Sequence, residues 1–142
     1  MAETLGSLCD KLTIVKLKQF HTEDEDRLAS LGGQETSLTA EIDQFLNAAI
    51  RGVVPAEKLI FAANKVVSAS TKPIREIRGT IAGLISELAR VNCELWHEQE
   101  KVYEFESVPA NEKNTVVQRL AILNLERNAC IDSIDQTLQR LV

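Results

Sequence analysis

The chain has 142 residues, of which 44% are hydrophobic and 26% are charged, a balance typical of a single globular domain and not of a disordered chain. Its net charge is −5, and such an acidic chain lacks the basic surface with which proteins bind nucleic acid or anionic membranes. Only 4% of the residues are aromatic and only three are prolines. A core made mainly of Leu, Ile, Val and Ala with few helix breakers favours helices over sheets.

Five segments carry apolar residues at spacings of three and four, the pattern of one buried helical face. In chain order, the predicted helices run from about Thr4 to Leu31, Gln34 to Arg51, Pro55 to Ser68, Pro73 to Glu106 and Ala110 to Leu141. Gly32 and Gly33 are expected to end the first helix, because glycine readily takes the left-handed position after a helix. The segments predict an all-α fold with one domain over residues 1–142. The predicted architecture is an antiparallel up-down-up-down four-helix bundle of two helical hairpins plus one short connecting helix.

The first predicted helix has two apolar sides. Leu8, Leu12 and Val15 lie on its main stripe, whereas Ile14 and Leu17 lie nearly opposite at about 100° per residue. The second side is therefore expected to face a neighbouring helix or a second subunit.

The first and fourth predicted helices also share a polar pattern, an aromatic residue and a histidine followed by an acid three residues later. This pattern comprises Phe20, His21 and Asp24 in the first helix, and Trp96, His97 and Glu100 in the fourth. A second similarity joins Ile42-Asp43-Gln44 to Ile134-Asp135-Gln136. Either a duplicated helical hairpin or the general likeness of amphipathic helices accounts for these similarities.

A histidine and an acid three residues apart lie on one face of a helix, one turn apart. His21, Asp24, His97 and Glu100 are therefore the candidate ligands of a metal or small molecule. Both histidines point away from the main apolar stripe on the helical wheel, which favours a surface or interface position for them. Phe20 and Trp96 border the stripe and are expected to anchor the core or an interface. Glycine-rich phosphate loops, nucleophile elbows and zinc-binding spacings are absent from the sequence. We therefore predict no catalytic residue and no cofactor.

The cellular compartment is indicated by what the sequence lacks. Cys9, Cys93 and Cys130 are odd in number and form no Cys-x-x-Cys pair, which favours reduced thiols. No apolar run approaches the roughly 18 residues of a membrane span, and the first residues do not have the pattern of a secretory signal. A cytoplasmic protein is the expectation.

Three stretches carry a resemblance to known families. Residues 6–14 read GSLCDKLTI, residues 87–96 include Val91-Asn92 and Leu95-Trp96, and residues 123–129 read LNLERNA. They resemble small bacterial families of all-helical proteins, known only as domains of unknown function. Those families share a Leu-x-Asp-Lys-Leu-Thr-Ile opening, a Val-Asn-x-x-Leu-Trp motif and a late Asn-x-x-Arg segment. The resemblance implies no activity. It marks Asp10, Lys11, Asn92, Trp96, Asn124 and Arg127 as possible shared positions.

Asp10 lies beside the first apolar stripe, and Arg127 interrupts the last one. Because a buried charge must be paired, we predict a buried polar network of Asp10, Asn92, Asn124 and Arg127. Its expected role is to fix the register of the helices, and a ligand pocket is the alternative.

These patterns support two hypotheses of function. The first is an interaction module that self-associates as a homodimer, or binds a protein partner, through Ile14, Leu17, Phe20 and Trp96. The second is a helical bundle that binds a metal or small ligand through the two histidines and their acids.

Overall fold

The computed structural model describes residues 3–60 and 77–142, and nearly all of this part of the chain is helical. The four α-helices, numbered in chain order, are α1 (Leu5–His21), α2 (Glu25–Ile50), α3 (Ile81–Tyr103) and α4 (Lys113–Leu141). Short 3₁₀ turns lie at Ala56–Lys58 and Phe105–Ser107. Across the described ranges no strand occurs, so the prediction of an all-α four-helix bundle is confirmed.

The boundary between α1 and α2 differs from the prediction. α1 ends at His21, and Gly32 and Gly33 lie inside α2. The chain turns where Asp24 takes an extended conformation and its carboxylate accepts a hydrogen bond from the Arg27 N–H at 3.1 Å. This side-chain cap satisfies an otherwise unpaired N–H of the first turn of α2. Glycine inside a helix costs only about 1 kcal/mol, so the cap decides the boundary.

Of the other boundaries, the end of α2 and the start of α4 agree closely with the sequence pattern, whereas α3 begins eight residues after the predicted start at Pro73. α2 ends just before Gly52, which has a φ of 74° and therefore takes the left-handed conformation that favours glycine. α3 begins only at Ile81, after Thr80, whose hydroxyl accepts a hydrogen bond from the Gly83 N–H at 3.1 Å. α4 begins at Lys113, three residues later than predicted. Most of the predicted third helix and the predicted start of the fourth lie at residues 61–76, outside the described residues.

The relative directions of the helices follow from bonds between them. Lys16 of α1 bonds to Glu35 of α2, and Arg119 of α4 bonds to Glu94 of α3, at 3.1 and 2.9 Å. With the short connections, these bonds make α1 with α2, and α3 with α4, antiparallel hairpins. α1 contacts all three other helices, whereas α2 packs mainly along α1. α1 is therefore the central element, and α2 forms an outer wall.

The core lies mainly between α1, α3 and α4. The predicted stripe of α3 is buried at Leu84, Leu88, Val91 and Leu95. α2 buries only Leu31 and Ala49 over its 26 residues. The buried apolar cluster consists of Leu5, Cys9, Ala49, Leu59, Ile77, Leu84, Leu88, Val91, Leu95, Leu123, Cys130, Ile131, Ile134 and Leu138. Each large aliphatic side chain buried here contributes about 1.5–3 kcal/mol to folding, so the bundle is stabilised chiefly by α1, α3 and α4.

Among the described residues, none of the helices combines the length and the apolar character that crossing a membrane requires.

Candidate functional site

An aromatic–imidazole cluster lies where the end of α1 meets the middle of α3. It comprises Phe20 and His21 of α1 with Trp96 and His97 of α3. The His21 ring stacks on Trp96, with ring centroids 4.7 Å apart and planes inclined by 22°. Phe20 and His97 both meet His21 edge to face, at 5.4 and 6.4 Å between centroids. The four rings thus form one connected group centred on His21.

The four rings meet because α1 and α3 run in the same direction. Asn92 of α3 bonds to Asp10 and Thr13 near the middle of α1. One or more turns further along both helices, Trp96 and His97 are level with the last turn of α1. The two aromatic-histidine pairs that the sequence pattern singled out are therefore neighbours in space.

The orientation of the His21 ring is fixed by its own helix. Its Nδ1 lies 2.8 Å from the backbone carbonyl oxygen of Leu17. Because a carbonyl oxygen only accepts hydrogen bonds, Nδ1 carries the proton and donates. In the neutral ring, Nε2 is then the nitrogen with the free lone pair, on the edge of the ring away from α1.

The cluster is open to solvent. Phe20 is 85% exposed, both histidines are exposed, and Trp96 is half-buried. The exposed Phe20 ring contacts the His21 ring, so it belongs to a continuous group of rings and is not an isolated exposed side chain. The cluster therefore has the composition of an interaction surface, where aromatic anchors are enriched.

The acids predicted to join the histidines do not complete a metal site within the chain. The Asp24 carboxylate caps α2 through the Arg27 N–H, and Glu100 lies exposed on α3. In residues 3–60 and 77–142, no three His, Cys, Asp or Glu side chains come close enough to hold a metal ion together. Of the four predicted ligands, the structure brings together the two histidines.

The predicted interface residues on the second side of α1 fall in different surroundings. Ile14 lines a groove of about 710 Å³ between α1 and α2, with Leu38 on the opposite wall. Leu17, the next apolar residue, is half-buried. The second apolar side of α1 therefore faces its neighbouring helix at Ile14, and only its far end, at Phe20, stays open.

Three of the four residues of the predicted polar network meet between α1, α3 and α4. The carboxylate of Asp10, a residue only 4% exposed, accepts bonds from Arg127 Nε at 2.8 Å and Arg127 Nη2 at 2.5 Å. Asn92 Nδ2 donates to the same carboxylate at 2.9 Å and to the Thr13 hydroxyl at 2.8 Å. The bond to Asp10 raises the pKa of the Arg127 guanidinium, so Arg127 stays charged. This arrangement fixes the register of three helices, since each contributes one member.

Asn124 does not join the network, contrary to the prediction. Its amide donates to the Leu120 carbonyl oxygen of its own helix at 3.1 Å, on the exposed side of α4. At about 100° per residue, Asn124 is rotated by that angle from the buried Leu123, whereas Arg127 is rotated by only about 40°.

A second buried polar contact was not predicted. Asp135 of α4 is 1% exposed, and its Oδ1 accepts a bond from the Gly6 N–H in the first turn of α1 at 2.7 Å. Burial raises the pKa of Asp135 to about 6, although the bonds from Gly6 and Thr4 act in the opposite direction. The sequence signal that could have predicted this burial is the position of Asp135 between Ile134 and Leu138, on the apolar stripe of α4.

The two similar Ile-Asp-Gln motifs, which begin at Ile42 and Ile134, lie in different surroundings. Asp135 is buried against α1, whereas its counterpart Asp43 lies exposed on α2. The motifs thus occupy different environments, and a duplicated hairpin stays a prediction.

Comparison of the chain with protein-family models, with curated proteins and with solved structures gives no match. The resemblance to families of unknown function therefore stays a prediction, and the proposals below depend on geometry alone.

Proposed function

We propose that this chain is a cytoplasmic interaction module that self-associates as a homodimer through the aromatic–imidazole cluster. The observation that carries the proposal is Phe20, a ring that is 85% exposed and contacts the His21 ring of the cluster. Aromatic side chains supply much of the binding free energy in protein interfaces because they bury large areas at low entropic cost.

The cluster offers a surface of the kind that two-fold dimers use. Phe20 and His21 at the end of α1, and His97 and Glu100 on α3, are exposed there, so these side chains are accessible to a second copy. In a two-fold dimer each Phe20 meets the same patch on the other copy. Each chain has a net charge of −5, so two copies repel each other at long range. An apolar anchor is then needed to stabilise the dimer.

The cytoplasmic part of the proposal depends on the cysteines. Cys9, Cys93 and Cys130 form no disulfide, and Cys9 and Cys130 are buried. Buried thiols without a disulfide are usual in proteins from reducing compartments.

The test is the mass in solution, measured by sedimentation equilibrium over the micromolar range, for the wild type and for Phe20→Ser. Burial of each Phe20 ring contributes about 1.5–3 kcal/mol. Loss of both rings in a symmetric dimer should therefore weaken it by about a hundredfold or more. Tyr103→Ser is the matched control, because Tyr103 is a similarly exposed aromatic residue, 88% accessible, at the end of α3 and outside the cluster.

The proposal predicts a dimer for the wild type and for Tyr103→Ser, and a monomer for Phe20→Ser. A monomer mass for the wild type, both with and without added divalent cations, would contradict it. Equal dimer affinities for the two variants would show that a different surface is used.

A further inference from the structure

The two histidines of the aromatic–imidazole cluster have the arrangement of half a metal site. His21 and His97 come from different helices, and their ring centroids are 6.4 Å apart with planes inclined by 79°. Two imidazoles bound to one tetrahedral ion, with metal–nitrogen distances of about 2.0 Å, have centroids roughly 5 Å apart. The His97 side chain is exposed, so a small rotation about its side-chain bonds closes the difference while His21 keeps its orientation.

The hydrogen bonding of His21 suits it to ligation. Its Nδ1–H donates to the Leu17 carbonyl oxygen, which leaves Nε2 to bind a metal. Metal-binding histidines commonly hold their second nitrogen in this way, because the bond fixes the tautomer and orients the ring. Among the described residues, the His97 ring has no hydrogen-bonding partner, so it is free to turn.

The ligand type selects the ion. Neutral imidazole suits Zn²⁺, Cu²⁺ and Ni²⁺, whereas Mg²⁺ and Ca²⁺ prefer oxygen ligands. A structural Zn²⁺ site has four protein ligands, and within the described residues no third His, Cys, Asp or Glu joins the pair. One chain therefore supplies half of the coordination shell.

We propose that a second copy of this chain supplies the other half, so that one Zn²⁺ bridges two molecules through His21 and His97 of each. This proposal rests on self-association through the same cluster, and adds the ion that regulates it. A two-fold axis through the ion places four imidazole nitrogens around it, and brings the exposed Phe20 rings to the margins of the same contact. The positive ion also offsets the repulsion between two chains of charge −5. The acids beside the cluster, Asp24 and Glu100, favour a cation at this surface without ligating it.

The test is sedimentation equilibrium of the full-length protein, first in chelator and then with ZnCl₂ added, with MgCl₂ as the control for ionic strength and charge. The protein carries Cys93→Ser, since the half-buried Cys93 thiol is a second ligand that Zn²⁺ could take. We expect Zn²⁺ to tighten the dimer by at least about tenfold, with one ion bound per pair of chains. His21→Ala and His97→Ala should each abolish the effect, Glu100→Gln should retain it, and Mg²⁺ should have none. Far-UV circular dichroism checks that the variants, whose changed residues are exposed, remain folded.

A second measurement, of tryptophan fluorescence, detects metal binding at the site directly. Trp96 is the only tryptophan and stacks on His21, so its fluorescence should be quenched when Cu²⁺ binds, and His21→Ala should prevent that quenching.

The outcomes separate the two proposals. A dimer that forms in chelator and is unchanged by Zn²⁺ would overturn the metal bridge and leave self-association intact. Binding of one Zn²⁺ per chain without dimer formation would also overturn the bridge. A monomer under all conditions would overturn both proposals. A monomer in chelator that dimerises with Zn²⁺ supports the bridge and restricts self-association to the metal-bound chain.

Discussion

Replacing Arg127 by methionine is expected to destabilise the fold far more than removing another interhelical arginine. Arg127 of α4 holds the Asp10 carboxylate with two bonds, and the side chain of Asp10 is 6% exposed. Methionine keeps much of the apolar length of the side chain, but among the described residues it leaves that carboxylate with Asn92 as its one remaining side-chain donor.

The magnitude follows from burial. Removing one partner of a buried ion pair costs about 3–5 kcal/mol, because the other charge stays desolvated. The Arg127 side chain is 33% exposed, so water can reach the site and the lower end of the range, about 3 kcal/mol, is expected. That is a large part of the roughly 5–15 kcal/mol that stabilises a typical domain.

The assay is urea unfolding followed by far-UV circular dichroism. A loss of about 3 kcal/mol lowers the midpoint by about 1–3 M urea for typical slopes. Arg119→Met is the matched control, since Arg119 also lies on α4 and bonds to Glu94 of α3, but this pair is more open to solvent, with side chains 47% and 33% exposed, and Glu94 keeps its bond to Arg90. An exposed pair contributes at most about 1 kcal/mol.

A double-mutant cycle isolates the cause. In an Asp10→Asn background no carboxylate remains to be stranded, so Arg127→Met should cost about 1 kcal/mol or less. If Arg127→Met and Arg119→Met cost the same in the wild-type background, the reasoning from a buried charge is refuted.

The remaining predictions concern other buried groups and the glycines. Burial raises the Asp135 pKa from 3.8 to about 6. Between these pH values the folded chain keeps a proton that the unfolded chain releases, so the free energy of unfolding falls as the pH rises through this window. The stability of Asp135→Asn relative to the wild type should rise by about 2 kcal/mol from pH 4 to pH 7, measured by urea unfolding across pH, and parallel profiles would contradict this. Gly6→Ala should destabilise the fold, because a Cβ there would lie 2.4 Å from a backbone oxygen of α4. Gly33→Ala should stabilise the fold by up to about 1 kcal/mol, since nothing lies within 4 Å of its Cβ position. Melting temperatures that shift in the same direction for the two variants would refute this distinction. Burial raises the pKa of the Cys9 thiol to about 11, so a disulfide reagent should modify Cys93 first and the two buried cysteines only on unfolding; rapid modification of three thiols in the folded protein would contradict this.

Local pattern was sufficient to predict the helical character of most of the described chain and the buried face of α3. Leu84, Leu88, Val91 and Leu95 recur with helical spacing and are all buried, because an apolar stripe has to be removed from water whatever it packs against. The end of α1 was mispredicted because two local signals compete within twelve residues. The glycines at 32 and 33 merely permit a break, whereas the Asp24 cap supplies a hydrogen bond to the next helix, and the cap prevailed.

The sequence by itself determined that Asp10 and Arg127 are unusual, because each places a charge on or beside an apolar stripe. It also determined that His21 and His97 follow similar stripes in two helices. Only the tertiary structure decided which of these groups meet. A contact such as that between Asp10 and Arg127, 117 positions apart, depends on the rotation and axial register of each helix. Both are set by the packing of the whole core and not by neighbouring residues. For the same reason Asn124 turned outward, Asp135 turned inward to Gly6, and the two imidazoles came together at an exposed surface.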